Sequence, residues 1–260
     1  MAGTGESLPE KVYDIFNHLS VMKKILLGII LLLVAYCPKL YAKEQLVTES
    51  RVDIFRNGTK ERVQFSLVEG KKYHDQELWC GSGWKYEGVF SISVIFPDGR
   101  HADTTVNSFW DNEKLFFYSS PWTIKFADYN HDGVLDISLG QYSGCNGSGY
   151  KILSFMPNGK VFLLPVMLYK AIPLSGHDNS TDKIIVTKRG LSAGYYNNTI
   201  GGNTTVFYDW DPVSRFFVPI REVDEFNNVE DKVKSCTRVI RLLDRATGEY
   251  KEISRENYRP

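Results

Sequence analysis

The chain has 260 residues, and its 31 Lys and Arg residues balance its 31 Asp and Glu residues, so the formal net charge is zero. This balance gives no overall attraction to nucleic acid or to an anionic membrane. The 15 Tyr, 15 Phe and 5 Trp residues favour strands over helices.

The N-terminal segment has the pattern of a secretory leader. Lys23 and Lys24 follow Met22, an apolar run extends from Ile25 to Cys37, and a small residue stands at Ala42. Such a run is short for a membrane span, so we predict a bacterial-type signal peptide, residues 22–42, preceded by an N-terminal extension, residues 1–21. The mature protein, residues 43–260, is then exported to the periplasm, the cell surface or the medium. The alternative is an uncleaved leader that anchors the chain in a membrane.

Three cysteines remain after the leader. Export permits one disulfide, and Cys80 and Cys145 lie in similar Gly-Ser loops, which favours their pairing over a bond to Cys236. Three free thiols are the alternative.

Residues 43–260 consist mainly of short segments rich in β-branched and aromatic residues, bounded by Gly, Pro, Asn or Asp. These segments predict an all-β domain of short antiparallel strands. They include RVQFSLV, FSISVIF, KLFFYSS, WTIKFA, KILSFM, KVFLLPVMLY, KIIVTK, TTVFYDW and RFFVPI. The stretch 221–235 is the best candidate for a helix.

An internal repeat runs through these strands. The order acidic turn, strand, Cys-Gly-Ser loop, strand, Pro-x-Gly turn, strand occurs twice, with the Pro-x-Gly turns at residues 97–99 and 157–159. A looser third copy covers residues 194–220, and a final hairpin is predicted to turn at residues 246–248. Propeller-like blades or a repeat-built sandwich would explain this order. At about 40–50 residues per blade, four or five blades are the most that the chain can form.

The stretch FADYNHDGVLDISLG concentrates oxygen donors in one loop. Counted from Asp128, side-chain oxygens fall at positions 1, 3, 5 and 9, and a glycine falls at position 6, where the chain must bend. These donors, together with a backbone carbonyl at position 7, suit a hard cation such as Ca²⁺. The predicted metal ligands are Asp128, Asn130, Asp132, Val134 and Asp136. The alternative is a solvated turn without metal.

The flanks of this loop predict strands rather than the helices of an EF-hand. The loop resembles the D-x-N/D-x-D-G-x-x-D signature of FG-GAP and VCBS-type repeats, which occur in integrin α-subunit propellers and in bacterial exported proteins. The resemblance implies that the five predicted ligands hold Ca²⁺. The earlier loop DIFRNGTKE departs from the signature, because Phe55 replaces Asn or Asp, and it is interpreted as a relic turn.

No catalytic constellation stands out in the mature chain. The His residues lack metal-ligand spacing, and no Ser lies in a nucleophile elbow. We therefore expect a non-catalytic binding or interaction module with a protein or glycan partner. The alternatives are an exported hydrolase of polysaccharide or peptidoglycan that uses paired carboxylates, or an inhibitor of such a hydrolase.

Overall fold

The computed structural model describes residues 44–76, 83–111, 114–118, 124–144, 147–174, 184–227 and 235–259. In these ranges the chain is all-β, as predicted, with three antiparallel sheets and one 3₁₀ turn at Val106–Phe109. No helix in the described part of the chain is long and apolar enough to cross a membrane. The predicted leader, residues 1–42, lies outside the described residues.

Sheet A is formed by the first five strands, in the order β1-β2-β3-β4, with β5 also paired to β3. Its strands are β1 (Gln45–Val52), β2 (Glu61–Asp75), β3 (Gly83–Ile95), β4 (His101–Thr105) and β5 (Leu115–Tyr118). Strands β4 and β5 pair with opposite ends of β3, so together they form the fourth row of the sheet.

Sheet B repeats this arrangement. Its strands are β6 (Phe126–Ala127), β7 (Asp136–Gly144), β8 (Gly147–Phe155), β9 (Val161–Leu164) and β10 (Ile172–Leu174). Here β9 and β10 pair with opposite ends of β8, as β4 and β5 do with β3. The predicted repeat therefore extends from the turns to the strand pairing.

Sheet C is a six-stranded antiparallel meander in chain order. Its strands are β11 (Ile184–Val186), β12 (Gly190–Asn197), β13 (Gly202–Asp211), β14 (Phe216–Asn227), β15 (Cys236–Asp244) and β16 (Glu249–Tyr258). The hairpins predicted from the third copy and from the tail are both present. Residues 187–189 join β11 to β12 directly, so this connection is too short for an acidic loop of the kind seen in sheets A and B.

The helix predicted over residues 221–235 is wrong for its first half. Residues 221–227 belong to β14, where they pair with β13 on one side and β15 on the other. The apolar residues of this stretch do not recur at helical spacing, and its backbone N–H and C=O groups bond to β13 and β15 instead. Residues 228–234 lie outside the described residues.

The two Pro-x-Gly turns connect β3 to β4 in sheet A and β8 to β9 in sheet B. The N–H of Gly99 donates to the carbonyl of Phe96 at 3.0 Å, and that of Gly159 donates to Met156 at 2.8 Å. Both glycines have a φ near +85°, which the glycine of such a turn tolerates without a steric penalty.

Sheet B packs against the other two sheets through its two faces. Ile137 and Leu153 join one core cluster with Phe65 and Phe90 of sheet A. Ile152 joins a second cluster with Leu191 and other residues of sheet C. Neighbouring residues of β8 thus serve different cores, because side chains alternate across a strand.

Truncating either face of β8 tests this stacking. Leu153→Ala and Ile152→Ala each remove a fully buried side chain, one from each core. We expect each to lower the free energy of unfolding by about 2–5 kcal/mol, measured by urea denaturation. The control Ile185→Ala removes a side chain that is 60% exposed and should have little effect. A small effect of either β8 variant would contradict two-sided packing.

Candidate calcium loop

The loop between β6 and β7 is closed by Asp128. Its Oδ1 accepts the N–H of Asp132 at 3.1 Å, and its Oδ2 accepts the N–H of Gly133 at 3.2 Å. Gly133 has a φ of +92° and His131 a φ of +59°, so the chain bends sharply at both residues. This conformation suits glycine, and it lets one carboxylate cap two backbone donors.

Asn130 and Asp132 hold each other inside the bend. Asn130 Nδ2 donates to Asp132 Oδ2 at 2.8 Å, and the N–H of Val134 donates to Asp132 Oδ1 at 2.8 Å. Asn130 is buried, whereas Asp132 is exposed. These contacts orient side-chain oxygens from positions 3 and 5 of the loop.

Asp136 begins β7 and is fully buried. Its Oδ2 accepts the N–H of Tyr129 at 2.9 Å, whereas its Oδ1 has no hydrogen-bond partner. The buried Ser154 hydroxyl lies close enough to influence this carboxyl, but the two do not meet hydrogen-bond geometry. A buried carboxylate oxygen without a partner is costly in a folded protein.

The electrostatics of Asp136 follow from this environment. Burial raises the pKa of Asp136 to about 7, and the neighbouring Asp132 carboxylate acts in the same direction. The Ser154 hydroxyl and the backbone N–H groups of Tyr129 and Asn130 lower the pKa, but they do not offset burial. The ionised form of Asp136 therefore lacks a counter-charge.

All five predicted ligands lie in this one loop, and both flanks are strands, as predicted. The donor types suit Ca²⁺, which binds carboxylate, amide and carbonyl oxygens. As placed, however, no group of three or more His, Cys, Asp or Glu side chains in the described ranges converges tightly enough to hold a metal. The carboxylates of Asp128 and Asp132 instead accept backbone N–H groups. Each of their oxygens has two lone pairs and can accept an N–H while also binding a cation.

The first acidic loop has the same scaffold. Asp53 accepts the N–H groups of Asn57 and Gly58 at 2.9 and 2.8 Å, and Glu61 accepts the N–H of Ile54 at 3.0 Å. Phe55 stands where the second loop has Asn130. The turn therefore forms without the full donor set, and Asn130 and the unpartnered oxygen of Asp136 distinguish the second loop.

Position 4 of each acidic loop reaches the next sheet, which the sequence analysis missed. Arg56 Nη1 lies 3.4 Å from Asp128 Oδ2, and His131 Nε2 lies 2.9 Å from the carbonyl of Thr187. The N–H of Leu135 also donates to the carbonyl of Ile54 at 2.9 Å. Arg56 and His131 occupy equivalent positions of the repeat, and both have a positive φ.

The cysteine predictions fall mostly outside the described residues. Cys80 and Cys145 both lie there, so their pairing stays a prediction. Cys236 is half-buried and forms no disulfide with any described residue, and its Sγ contacts Asn227 Oδ1 at 3.2 Å.

Compared with known proteins, the chain matches no family model, no curated protein and no solved structure. Support for a function therefore comes from the geometry of the chain itself.

The raised pKa of Asp136 predicts a pH-dependent stability in the metal-free protein. Between about pH 4, near the pKa of the unfolded carboxyl, and about pH 7, the folded pKa, the folded state keeps a proton that the unfolded state has released. The free energy of unfolding should therefore fall as the pH rises through this window, by up to roughly 4 kcal/mol. Denaturation in EDTA at several pH values measures it.

Asp136→Asn is the control for this experiment. It keeps an acceptor for the N–H of Tyr129 but removes the titrating group. Burial also raises the pKa of Glu222, so the difference between wild type and variant isolates the contribution of Asp136. Equal pH slopes in the two proteins would contradict the assignment.

Proposed function

We propose that this chain is an exported β-repeat protein that binds Ca²⁺ at residues 128–136 and acts as a non-catalytic binding module. One observation carries the calcium proposal: the fully buried Asp136 has an oxygen without a partner beside a loop of oxygen donors. A divalent cation would supply the missing counter-charge. Asp128, Asn130, Asp132 and Asp136 would hold it with their side chains, and Val134 with its carbonyl.

The surroundings of the loop favour a structural role for the ion. Contacts of the loop reach sheet A through Leu135 and sheet C through His131. An ion that orders the loop would therefore stabilise its contacts with both sheet A and sheet C. Arg56 already offsets part of the charge of Asp128, which favours the weak affinity of extracellular modules, about 10⁻⁴–10⁻³ M.

The burial of the Asp136 carboxyl favours a binding role over a catalytic one. A general acid must reach its substrate, whereas Asp136 is sealed from solvent. Its raised pKa follows from burial of the carboxyl. Export and the identity of a protein or glycan partner stay predictions from the sequence.

Calcium titration of the mature protein tests the proposal. We expect saturable heat by calorimetry and a rise in melting temperature with Ca²⁺ that EDTA reverses, because a ligand bound to the folded state stabilises it. Asp132→Asn should retain the fold, because Asn57 makes the equivalent turn contact in the first loop, with Oδ1 accepting an N–H at 2.9 Å. Losing one anionic ligand should weaken Ca²⁺ binding by about tenfold or more.

Asp53→Asn is the matched control. It also changes one loop Asp to Asn, but at position 1 of the first loop, which lacks the full donor set, and it should leave Ca²⁺ affinity unchanged. Absence of both heat and thermal shift in the wild type would refute a calcium site. Equal loss of affinity in both variants would place the ion elsewhere.

A further inference from the structure

A cavity of about 280 Å³ lies between the candidate calcium loop and the β13–β14 hairpin of sheet C. Its lining combines apolar side chains with polar groups from both sides. The lining residues that matter for recognition are Asn130, Asp132, Leu164, Trp210, Ser214 and Arg215.

Trp210 provides an aromatic wall that is held in place by its neighbours. Its ring packs against the buried Phe217 with centroids 4.9 Å apart. The backbone N–H of Trp210 donates to the carbonyl of Arg189 at 2.8 Å. Trp210 is also the strand partner of Phe217 in the β13–β14 hairpin. The indole is half-buried, so one part packs on the core and the rest is available to the cavity.

The polar groups of the cavity carry both donors and acceptors. Asp132 is exposed and offers carboxylate lone pairs beyond those that accept Asn130 Nδ2 and the N–H of Val134. Arg215 offers guanidinium N–H groups from the turn of the hairpin. The charges of Asp132 and Arg215 cancel. A neutral ligand with hydroxyl groups suits such a lining, whereas a wholly apolar ligand would strip water from these groups without replacing its hydrogen bonds.

A second cavity, of about 460 Å³, lies beside the first acidic loop and provides a comparison. Asn57 and Arg100 line it, much as Asp132 and Arg215 line the first. Phe55 replaces Asn130 there, and its ring stacks on that of Phe96 at 6.3 Å. The repeat thus places a cavity beside each acidic loop, and Asn130 in one cavity stands where Phe55 stands in the other.

We propose that the cavity bounded by Trp210, Asp132 and Arg215 binds one neutral sugar residue of a glycan. Its volume lies just below the usual range of about 300–1,000 Å³ for small-molecule sites, which suits a single ring. The C–H face of a hexose packs on an indole, and its hydroxyls both donate to Asp132 and accept from Arg215. This inference deepens the proposed binding function, on which it rests, by naming the ligand class.

Titration with simple glycosides tests this inference on the mature chain. The probes are the methyl glycosides of glucose, galactose, mannose, N-acetylglucosamine and N-acetylgalactosamine, each added with Ca²⁺ and again with EDTA. The readout is the indole N–H resonance of Trp210, assigned by its loss in Trp210→Phe. We expect at least one glycoside to shift this resonance saturably at millimolar concentration.

Two variants and one control locate the binding. Arg215→Gln changes an exposed turn residue and should weaken binding of that glycoside by about tenfold. Trp210→Phe should weaken it to the same extent, and because this variant lacks the indole its binding is followed through the resonances of the glycoside itself. Trp84→Phe changes an exposed tryptophan of β3 outside the cavity and should leave the affinity unchanged.

The outcomes separate this inference from the calcium proposal. Calorimetric Ca²⁺ binding without a response to any glycoside would overturn the sugar site and leave the calcium site standing. Glycoside binding that survives both cavity variants would also overturn it, because the sugar would then bind elsewhere. A saturable shift in EDTA, with no calorimetric response to Ca²⁺, would support the sugar site and count against the calcium site.

Discussion

The burial of the Asp136 carboxyl is the constraint on which the rest of this account depends. The residue begins the central strand β7, and alternation along the strand turns its side chain to the face opposite Ile137 and Leu139, where it is fully buried. One oxygen caps the N–H of Tyr129 and the other has no hydrogen-bond partner. A neutral carboxylic acid tolerates this site below its raised pKa, whereas the ionised form calls for a cation. The surrounding loop offers the oxygen donors that such a cation requires.

The two acidic loops form a natural comparison within one chain. Both use an Asp to cap two backbone N–H groups, and both reach the following sheet through position 4. The first loop achieves this with Phe55 and without the full set of donors, so the turn has its own stability as a connection between strands. Added to this scaffold, Asn130 and the buried Asp136 give the second loop its proposed role. The two loops thus share the contacts that form the turn, and the proposed calcium site depends on residues found only in the second loop.

Much of the fold could be predicted from local patterns, because Pro-Asp-Gly and Pro-Asn-Gly turns encode their own geometry and alternating apolar residues encode strands. The stretch 221–235 was predicted wrongly, since its polar composition hides a central strand whose partners lie on neighbouring hairpins. The contact of Arg56 with Asp128 and the cavity beside Trp210 could not be predicted, because both depend on how sheets pack and not on local sequence. The proposed ligands were chosen by their spacing in the sequence, whereas the burial of Asp136 required the tertiary structure.

The proposed link between the burial of Asp136 and Ca²⁺ binding can be measured through the titration of this carboxyl. The side-chain carboxyl ¹³C shift of Asp136 can be followed by NMR from acid to neutral pH, first in EDTA and then with saturating Ca²⁺. We expect a midpoint near pH 7 without metal, because burial raises the pKa of Asp136 to about 7, and a midpoint several pH units lower when Ca²⁺ is bound. A midpoint near the ordinary value of about 4 in EDTA, or the same midpoint with and without Ca²⁺, would contradict it.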